Sequence, residues 1–175
     1  MGELAGSGSE RLPYIDVHEV EIAADVNAAW GALVRVGRES LGGTGQRRLA
    51  QALGVEPPSV SGRWTPEVEP GAALPGFAVE RVRRPELLSL RGGHRFSRYR
   101  LDFELSAAGS DRSRLRARTW AEFPGLAGAA YRALVIGGGA HRLIVRRLLR
   151  RIAKAACVRA PDSRLEDHAA RDARS

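Results

Sequence analysis

Three side chains that could transfer protons or hold an anion lie close together in the sequence: His94, Arg95 and Tyr99. A histidine can act as a general base near neutral pH. An arginine can pair with a carboxylate or enolate oxygen, or extend to the rim of a site and stay in water. A buried tyrosine hydroxyl more often bonds within the protein than to a ligand. We treat these three as candidate catalytic residues, although their spacing does not define a reaction.

The other histidines carry less information. His141 follows three glycines and could flank the mouth of a cavity together with His94. His18 falls in a predicted strand, where a solvent-facing or hydrogen-bonded core histidine is the simpler interpretation, and His168 lies near the C-terminus. The sequence has no His-x-x-x-His pair and no His/Asp/Glu spacing typical of a metal site, so we predict no metal.

Two glycine-rich stretches, 42–45 and 137–141, raise the question of phosphate binding. The first lacks the Lys-Ser/Thr ending of a P-loop, and the second does not follow a strand in a βαβ unit. Both are better explained as turns or breaks in the chain. We therefore predict no cofactor.

Two strands with strict alternation would position the candidate residues. Their apolar or small positions are Tyr99, Leu101, Phe103 and Leu105, then Leu115, Ala117, Thr119 and Ala121. The positions between them are mostly charged, and arginine predominates. This pattern predicts an antiparallel hairpin with one apolar face and one solvated face on which opposite charges pair across the strands.

The whole chain reads as an α+β protein. The predicted elements are a strand over 14–22, a helix capped by Asp25, a short helix over 46–54, a weak strand over 59–69, strands over 76–84, 86–92, 94–106 and 113–123, and a helical region over 125–157. The glycines at 137–139 make the last region either two helices or one bent helix. It is the only predicted element long enough to cover the apolar face of the sheet.

Composition limits the class of protein. Apolar residues make up 43% of 175 residues, enough for one folded domain, which we place at 13–157 between disordered tails at 1–12 and 158–175. The net charge is +8, but 27 of the 28 basic residues are arginine, which is typical of GC-rich coding bias, so we predict no specific nucleic-acid binding. Cys157 is the single cysteine, and neither a secretory signal nor an 18-residue apolar stretch is present, so we predict a cytoplasmic protein.

The chain resembles the SRPBCC superfamily (START-like, Bet v 1-like and polyketide-cyclase-like proteins) in its element order and in the stretches PGFAVERVRRPELLSLRGGHRFSRYRLDFEL, AEFPG and YRALVIGGGAHRLIVRRLLRRIA. The resemblance covers about 14–154 and is closest in kind to small bacterial members. It implies the helix-grip fold, a curved antiparallel sheet wrapped around a long C-terminal helix, here with two short helices after the first strand. The superfamily has no single catalytic motif, so no catalytic residue can be carried over.

The resemblance also implies a cavity between sheet and helix for a hydrophobic small molecule or lipid. The residues expected to line it are Tyr99, Leu101, Phe103, Ala117, Thr119, Ala121 and Tyr131. The inward row around Thr119 is small, and so is the facing helix, LAGAAYRAL. On residues alone close packing of helix on strand is the simpler interpretation, whereas the resemblance favours a cavity.

Three functions remain open. The first is binding or carriage of a hydrophobic small molecule or lipid. The second is a polyketide cyclase, aromatase or dehydratase that uses the same cavity, with a residue such as His94, Arg95 or Tyr99 handling protons. The third is an interaction module whose interior is filled by its own side chains.

The last helix is strongly basic. Its cations are Arg142, Arg146, Arg147, Arg150, Arg151 and Lys154, and its predicted apolar stripe is Leu143, Ile144, Leu148, Leu149 and Ile152. A helix clamped on the sheet with its basic side in water is the simpler interpretation. The alternative is transient contact of this basic side with an anionic membrane, which would suit a lipid carrier.

Overall fold

A computed structural model describes residues 12–41, 54–64 and 67–158. β1 (Tyr14–Ile22) has the bounds that its alternation predicts. α1 (Val26–Leu41) begins directly after Asp25, whose Oδ1 accepts hydrogen bonds from the backbone N–H groups of Asn27 (2.8 Å) and Ala28 (3.1 Å). Asp25 is therefore the N-cap, as predicted. The predicted helix over 46–54 and the two predicted tails lie, apart from their inner edges, outside the described residues.

Six antiparallel strands form one sheet in the order β1-β6-β5-β4-β3-β2. After β1 these are β2 (Ala73–Leu74), β3 (Phe77–Arg83), β4 (Leu87–His94), β5 (Ser97–Ala107) and β6 (Ser113–Glu122). Each strand from β2 to β6 pairs with its neighbour in the chain, and β1 crosses over to pair with β6. The weak strand predicted over 59–69 is wrong in its described part, where Ser61 forms only an isolated bridge with Ala73.

The predicted hairpin is confirmed, with Leu101 opposite Thr119 and Phe103 opposite Ala117. Its first strand starts three residues later than expected. β4 continues through Gly92 and Gly93 to His94, which pairs with Ser97, so the chain turns at residues 95–96. The two glycines hide the end of β4 in the sequence because they carry no side chain that could show alternation.

The C-terminal region is two helices rather than one bent helix. α2 (Gly125–Arg132) continues into a π-helical turn (Ala133–Gly137), and α3 (Ala140–Cys157) follows. The Gly138 N–H donates to the carbonyl of Ala133, five residues earlier, at 3.1 Å. Gly139 has φ +76°, a left-handed conformation that glycine adopts without steric cost. The glycine break therefore has a defined geometry.

Both long helices cover the sheet. α3 packs mainly against α1 and β1, and α1 contacts β5 and β6. The expectation that the C-terminal helix alone covers the apolar face is therefore wrong, because α1 supplies part of the cover. The predicted stripe of α3 is also wrong at its start: Leu143 and Ile144 are exposed, and Val145 is buried in their place. Of the described helices, none is long and apolar enough to cross a membrane.

Candidate functional site

The face of the sheet towards the helices carries most of the residues expected to line a cavity. Leu101 and Phe103 on β5 and Ala117, Thr119 and Ala121 on β6 are all buried. Because directly opposite residues of an antiparallel pair share a face, these five side chains form one continuous inner surface. Tyr99, opposite Ala121, extends the same surface towards the β4–β5 turn.

Tyr99 is held by the backbone of the neighbouring strands. Its hydroxyl donates a 2.7 Å hydrogen bond to the carbonyl oxygen of Gly76. Its ring lies over Gly92 in β4, where an added Cβ would overlap the Gly76 carbonyl. Burial, with the Tyr131 phenol nearby as a smaller cause, raises the pKa of Tyr99 far above its ordinary value, so this phenol remains protonated.

His94 has both ring nitrogens engaged. Nδ1 accepts a hydrogen bond from the backbone N–H of Phe96 (3.2 Å), and Nε2 lies 3.0 Å from Oγ of Ser97. Because Nδ1 is an acceptor, the proton of the neutral ring resides on Nε2, which donates to Ser97. Burial lowers the pKa of His94 and so favours this neutral form.

Aromatic rings join this end of the sheet to α2. The Tyr131 ring stacks on Phe96, with 5.6 Å between centroids and 22° between planes. It also contacts His94 edge-on at 4.8 Å and Phe123 at 6.4 Å. Tyr131 is thus brought together with His94, whose ring lies 6.0 Å from that of Tyr99, whereas His141, the other histidine expected at a cavity mouth, lies against Asp16. Burial raises the pKa of Tyr131 as well.

Arg95 does not join this group. It lies in the β4–β5 turn, is exposed, and its guanidinium carbon lies 5.2 Å from the centre of the Phe96 ring. The sequence pattern places Arg95 on the inner face because it treats residues 94–106 as one strand. The turn at 95–96 removes it from that face.

A second polar group, which the sequence analysis did not assemble, lies at the other edge of the inner surface. Asp16 and His18 on β1 are opposite Thr119 and Ala117, so both face the helices. His141, at the start of α3, approaches Asp16 from above, with its Nε2 3.4 Å from Asp16 Oδ1. The Nε2 of His18 lies 3.3 Å from Asp16 Oδ2. The side chains of His18, Asp16 and His141 are 11%, 15% and 20% exposed.

Three buried polar atoms in this group have no hydrogen-bond partner: Asp16 Oδ2, His18 Nε2 and Thr119 Oγ1. The close approach of His18 to Asp16 does not have hydrogen-bond geometry. Within the described ranges, no set of three or more His, Cys, Asp or Glu side chains is arranged to hold a metal ion. The alternation along β1 places Asp16, His18 and Val20 on one side of the strand, but it does not show that this side faces the core.

The opposite face of the sheet carries the arginines, paired as expected. The cross-strand pairs are Arg114–Glu21, Arg116–Glu19, Arg118–Glu104 and Arg98–Glu122, with N···O distances of 3.1–3.4 Å. Partly exposed pairs of this kind contribute up to about 1 kcal/mol each. Asp102 departs from the prediction of a fully solvated face. It is 5% exposed and accepts a 2.6 Å hydrogen bond from the hydroxyl of Ser89.

No protein-family model matches the chain, and no curated protein matches it. Among solved structures, the Zhui aromatase/cyclase from Streptomyces sp. R1128 is similar with a TM-score of 0.55 at 13% identity, covering 87% of this chain and 99% of that one. Norcoclaurine synthase from Thalictrum flavum, in complex with dopamine and hydroxybenzaldehyde, has a TM-score of 0.52 at 14% identity, covering 93% of this chain and 99% of that one. At these identities the likeness concerns the fold alone. The chain therefore shares the α+β helix-grip-like fold of these two proteins, as predicted.

Proposed function

We propose that this protein binds a hydrophobic small molecule or lipid between the inner face of the sheet and its C-terminal helices. The residues proposed to line the site are Tyr99, Leu101, Phe103, Ala117, Thr119, Ala121 and Tyr131. They form one surface that is apolar in the middle, small along β6 and aromatic at the β4–β5 end. Sites for small molecules commonly combine such apolar walls with a few polar groups.

The observation that carries the proposal is the incomplete packing of α2 and the π-helical turn on this surface. Close packing of the small residues in LAGAAYRAL against β6 would bury both partners. In the described structure Gly128 is the only buried residue of α2, and the π-helical turn has no buried residue. Leu126 and Leu134 are 92% and 73% exposed. The buried row on β6 is thus covered partly by α1 and α3, and the small face of α2 and of the π-helical turn is left with little buried against it, which supports this side as the place where a guest packs.

The proteins that share the fold give further support. One is an aromatase/cyclase, and the other is solved in complex with dopamine and hydroxybenzaldehyde. Dopamine and hydroxybenzaldehyde are small aromatic molecules. A guest with an aromatic or planar part would suit the cluster of Tyr131, Phe96 and His94, because aromatic rings favour offset or edge contacts with one another.

The second candidate function is a cyclase-type enzyme that uses the same cavity. Its candidate residues are His94 and Tyr99, which face the proposed site. The hydrogen bonds already made to Gly76 and Ser97 favour a structural role for both, because each group would have to leave its partner to act on a substrate. Arg95 is too far out on the turn to act there without a rearrangement. Binding is therefore the function we propose first.

The test of binding uses the purified full-length protein. Native mass spectrometry should show a retained lipid or other apolar compound that is lost on denaturation. Titration with N-phenyl-1-naphthylamine, whose fluorescence rises in apolar surroundings, should give a saturable signal. The absence of both a retained compound and saturable probe binding would overturn the proposal.

We also propose transient contact with an anionic membrane through the basic side of α3. Its six cations, Arg142, Arg146, Arg147, Arg150, Arg151 and Lys154, are all exposed. Two apolar side chains of the same helix are exposed as well: Leu143 and Ile144. Exposed apolar side chains next to arginines match a lipid surface, since the apolar groups can enter the acyl boundary while the cations meet the headgroups. Such contact would serve the delivery of an apolar guest.

A further inference from the structure

We propose that Asp16, His18, Thr119 and His141 form a binding site for a neutral hydroxyl group of the guest. This inference rests on the proposed function, because it assigns the polar end of the same cavity. It concerns residues outside the aromatic end formed by Tyr99, His94 and Tyr131. It predicts that the preferred guest is an apolar alcohol or phenol rather than a plain hydrocarbon.

The position of the four residues follows from the strand register. Thr119 lies between Leu101 on β5 and Asp16 on β1, so its hydroxyl continues the apolar inner surface into the polar group. His18 lies one pair further along, opposite Ala117. His141 closes the group from α3 through its contact with Asp16. The four side chains thus come from two adjacent strands and the helix above them.

The unmatched hydrogen-bonding capacity points to a ligand. Thr119 is 6% exposed, and its hydroxyl oxygen is buried without a partner. In the same neighbourhood Asp16 Oδ2 and His18 Nε2 are buried and lie 3.3 Å from each other, but this contact lacks hydrogen-bond geometry. A buried polar atom that makes no hydrogen bond destabilises the fold, so a molecule that completes the hydrogen bonds of these atoms would be bound favourably.

The chemistry of the three atoms selects a hydroxyl. The Asp16 carboxylate is an acceptor and needs a donor, whereas the Thr119 hydroxyl can donate or accept. A hydroxyl supplies both functions, since it can donate to Asp16 and accept from Thr119 or His18. A carbonyl or ether oxygen only accepts and would leave Asp16 Oδ2 unmatched. A carboxylate would lie against the charge of Asp16 and be repelled.

The test compares three probes of closely related shape by isothermal titration: 1-naphthol, 1-methoxynaphthalene and naphthalene. We expect the wild-type protein to bind 1-naphthol about tenfold more tightly than the other two, the effect of one hydrogen bond of about 1.4 kcal/mol. Thr119→Val removes the hydroxyl with little change of shape and should reduce this ratio towards one. Thr119→Ser should restore the ratio.

Ser113→Ala is the matched control, because it removes a buried hydroxyl from the same face of β6 at its far end, where Ser113 Oγ donates to the Ala24 carbonyl at 2.9 Å. It should leave the ratio unchanged. Naphthalene binding without any preference for 1-naphthol in the wild type overturns the hydroxyl site and leaves the proposed function standing. Binding of 1-naphthol alone supports the hydroxyl site and counts against a general apolar cavity. If no probe binds, both proposals fail.

Discussion

The hydroxyl of Tyr99 donates a 2.7 Å hydrogen bond to the carbonyl oxygen of Gly76, across the Gly92 backbone. This bond joins the start of β5 to the turn between β2 and β3. It also explains why Gly92 lacks a side chain, since any Cβ there would overlap the accepting carbonyl. Tyr99 therefore holds the β2–β3 turn against β4 and β5.

The first prediction concerns this hydrogen bond. Tyr99→Phe keeps the ring and leaves the buried Gly76 carbonyl unpaired, so the free energy of unfolding should fall by about 1–2 kcal/mol. Urea denaturation measures this change. Tyr14→Phe is the control, because Tyr14 is 57% exposed and its replacement should have no measurable effect. Equal stability of Tyr99→Phe and the wild type would show that the bond contributes nothing.

Alkaline pH provides a second test of the same residue. Burial raises the pKa of Tyr99 above its unfolded value of about 10, so the unfolded chain loses this proton first. Stability should be fully present below about pH 10 and fall as the pH rises further. Urea midpoints at about pH 9 and about pH 11 should show a smaller fall for Tyr99→Phe than for the wild type. Some fall should remain, because burial also raises the pKa of Tyr131. An equal fall of the urea midpoint in Tyr99→Phe and in the wild type would contradict the raised pKa of Tyr99.

Acid pH tests His94, whose pKa is lowered by burial, whereas the pKa of Tyr99 is raised. Burial lowers the pKa of His94 below its unfolded value of about 6.5, so the folded protein resists protonation at this site. The stability that the neutral ring contributes is present above about pH 6.5 and is lost as the pH falls below it. His94→Asn should therefore lose less stability than the wild type between about pH 7.5 and about pH 5. An equal loss would mean that the ring is protonated without cost.

The basic side of α3 gives a prediction for membranes. The triple variant Arg142→Gln, Arg146→Gln, Arg147→Gln should bind phosphatidylserine/phosphatidylcholine vesicles about 100-fold more weakly, at about 1 kcal/mol for each cation near the surface. The control variant Arg81→Gln, Arg91→Gln, Arg112→Gln makes the same change of net charge at exposed sites elsewhere. Vesicle co-sedimentation at two salt concentrations measures both. Equal loss in the two variants would indicate attraction by net charge alone.

Local patterns predicted the parts of the fold that depend on neighbouring residues. The hairpin followed from alternation along β5 and β6, and the cap of α1 followed from Asp25. The predictions failed where the local sequence pattern gives no signal. Gly92 and Gly93 conceal the end of β4, and the exposure of Leu143 depends on where the π-helical turn sets the face of α3. The apolar stripe of α1 predicts that this helix packs against a core, but it does not show that the helix lies on the sheet.

The polar group at Asp16 could not be predicted in the same way. Its contact with His141 joins residues 125 positions apart, and it requires the crossover of β1 to β6 and the irregular register between Tyr14 and Asp16. Sequence alternation placed Asp16 and His18 on one side of a strand, but it did not show which side faces the helices. The inward position of Thr119, by contrast, followed directly from the hairpin.

The central claim is that a guest binds at Thr119 on the inner face of the sheet, and titration of Thr119→Trp with N-phenyl-1-naphthylamine tests it most directly. The indole would occupy the proposed site, whereas in Arg118→Trp the same indole lies on the opposite face of β6. A cooperative unfolding transition in urea confirms that each variant is folded. If Thr119→Trp does not fold, Thr119→Leu, with a smaller side chain, takes its place in the test. We predict saturable binding to the wild type and Arg118→Trp, with a loss of at least about tenfold in Thr119→Trp. Wild-type affinity in folded Thr119→Trp would contradict the account.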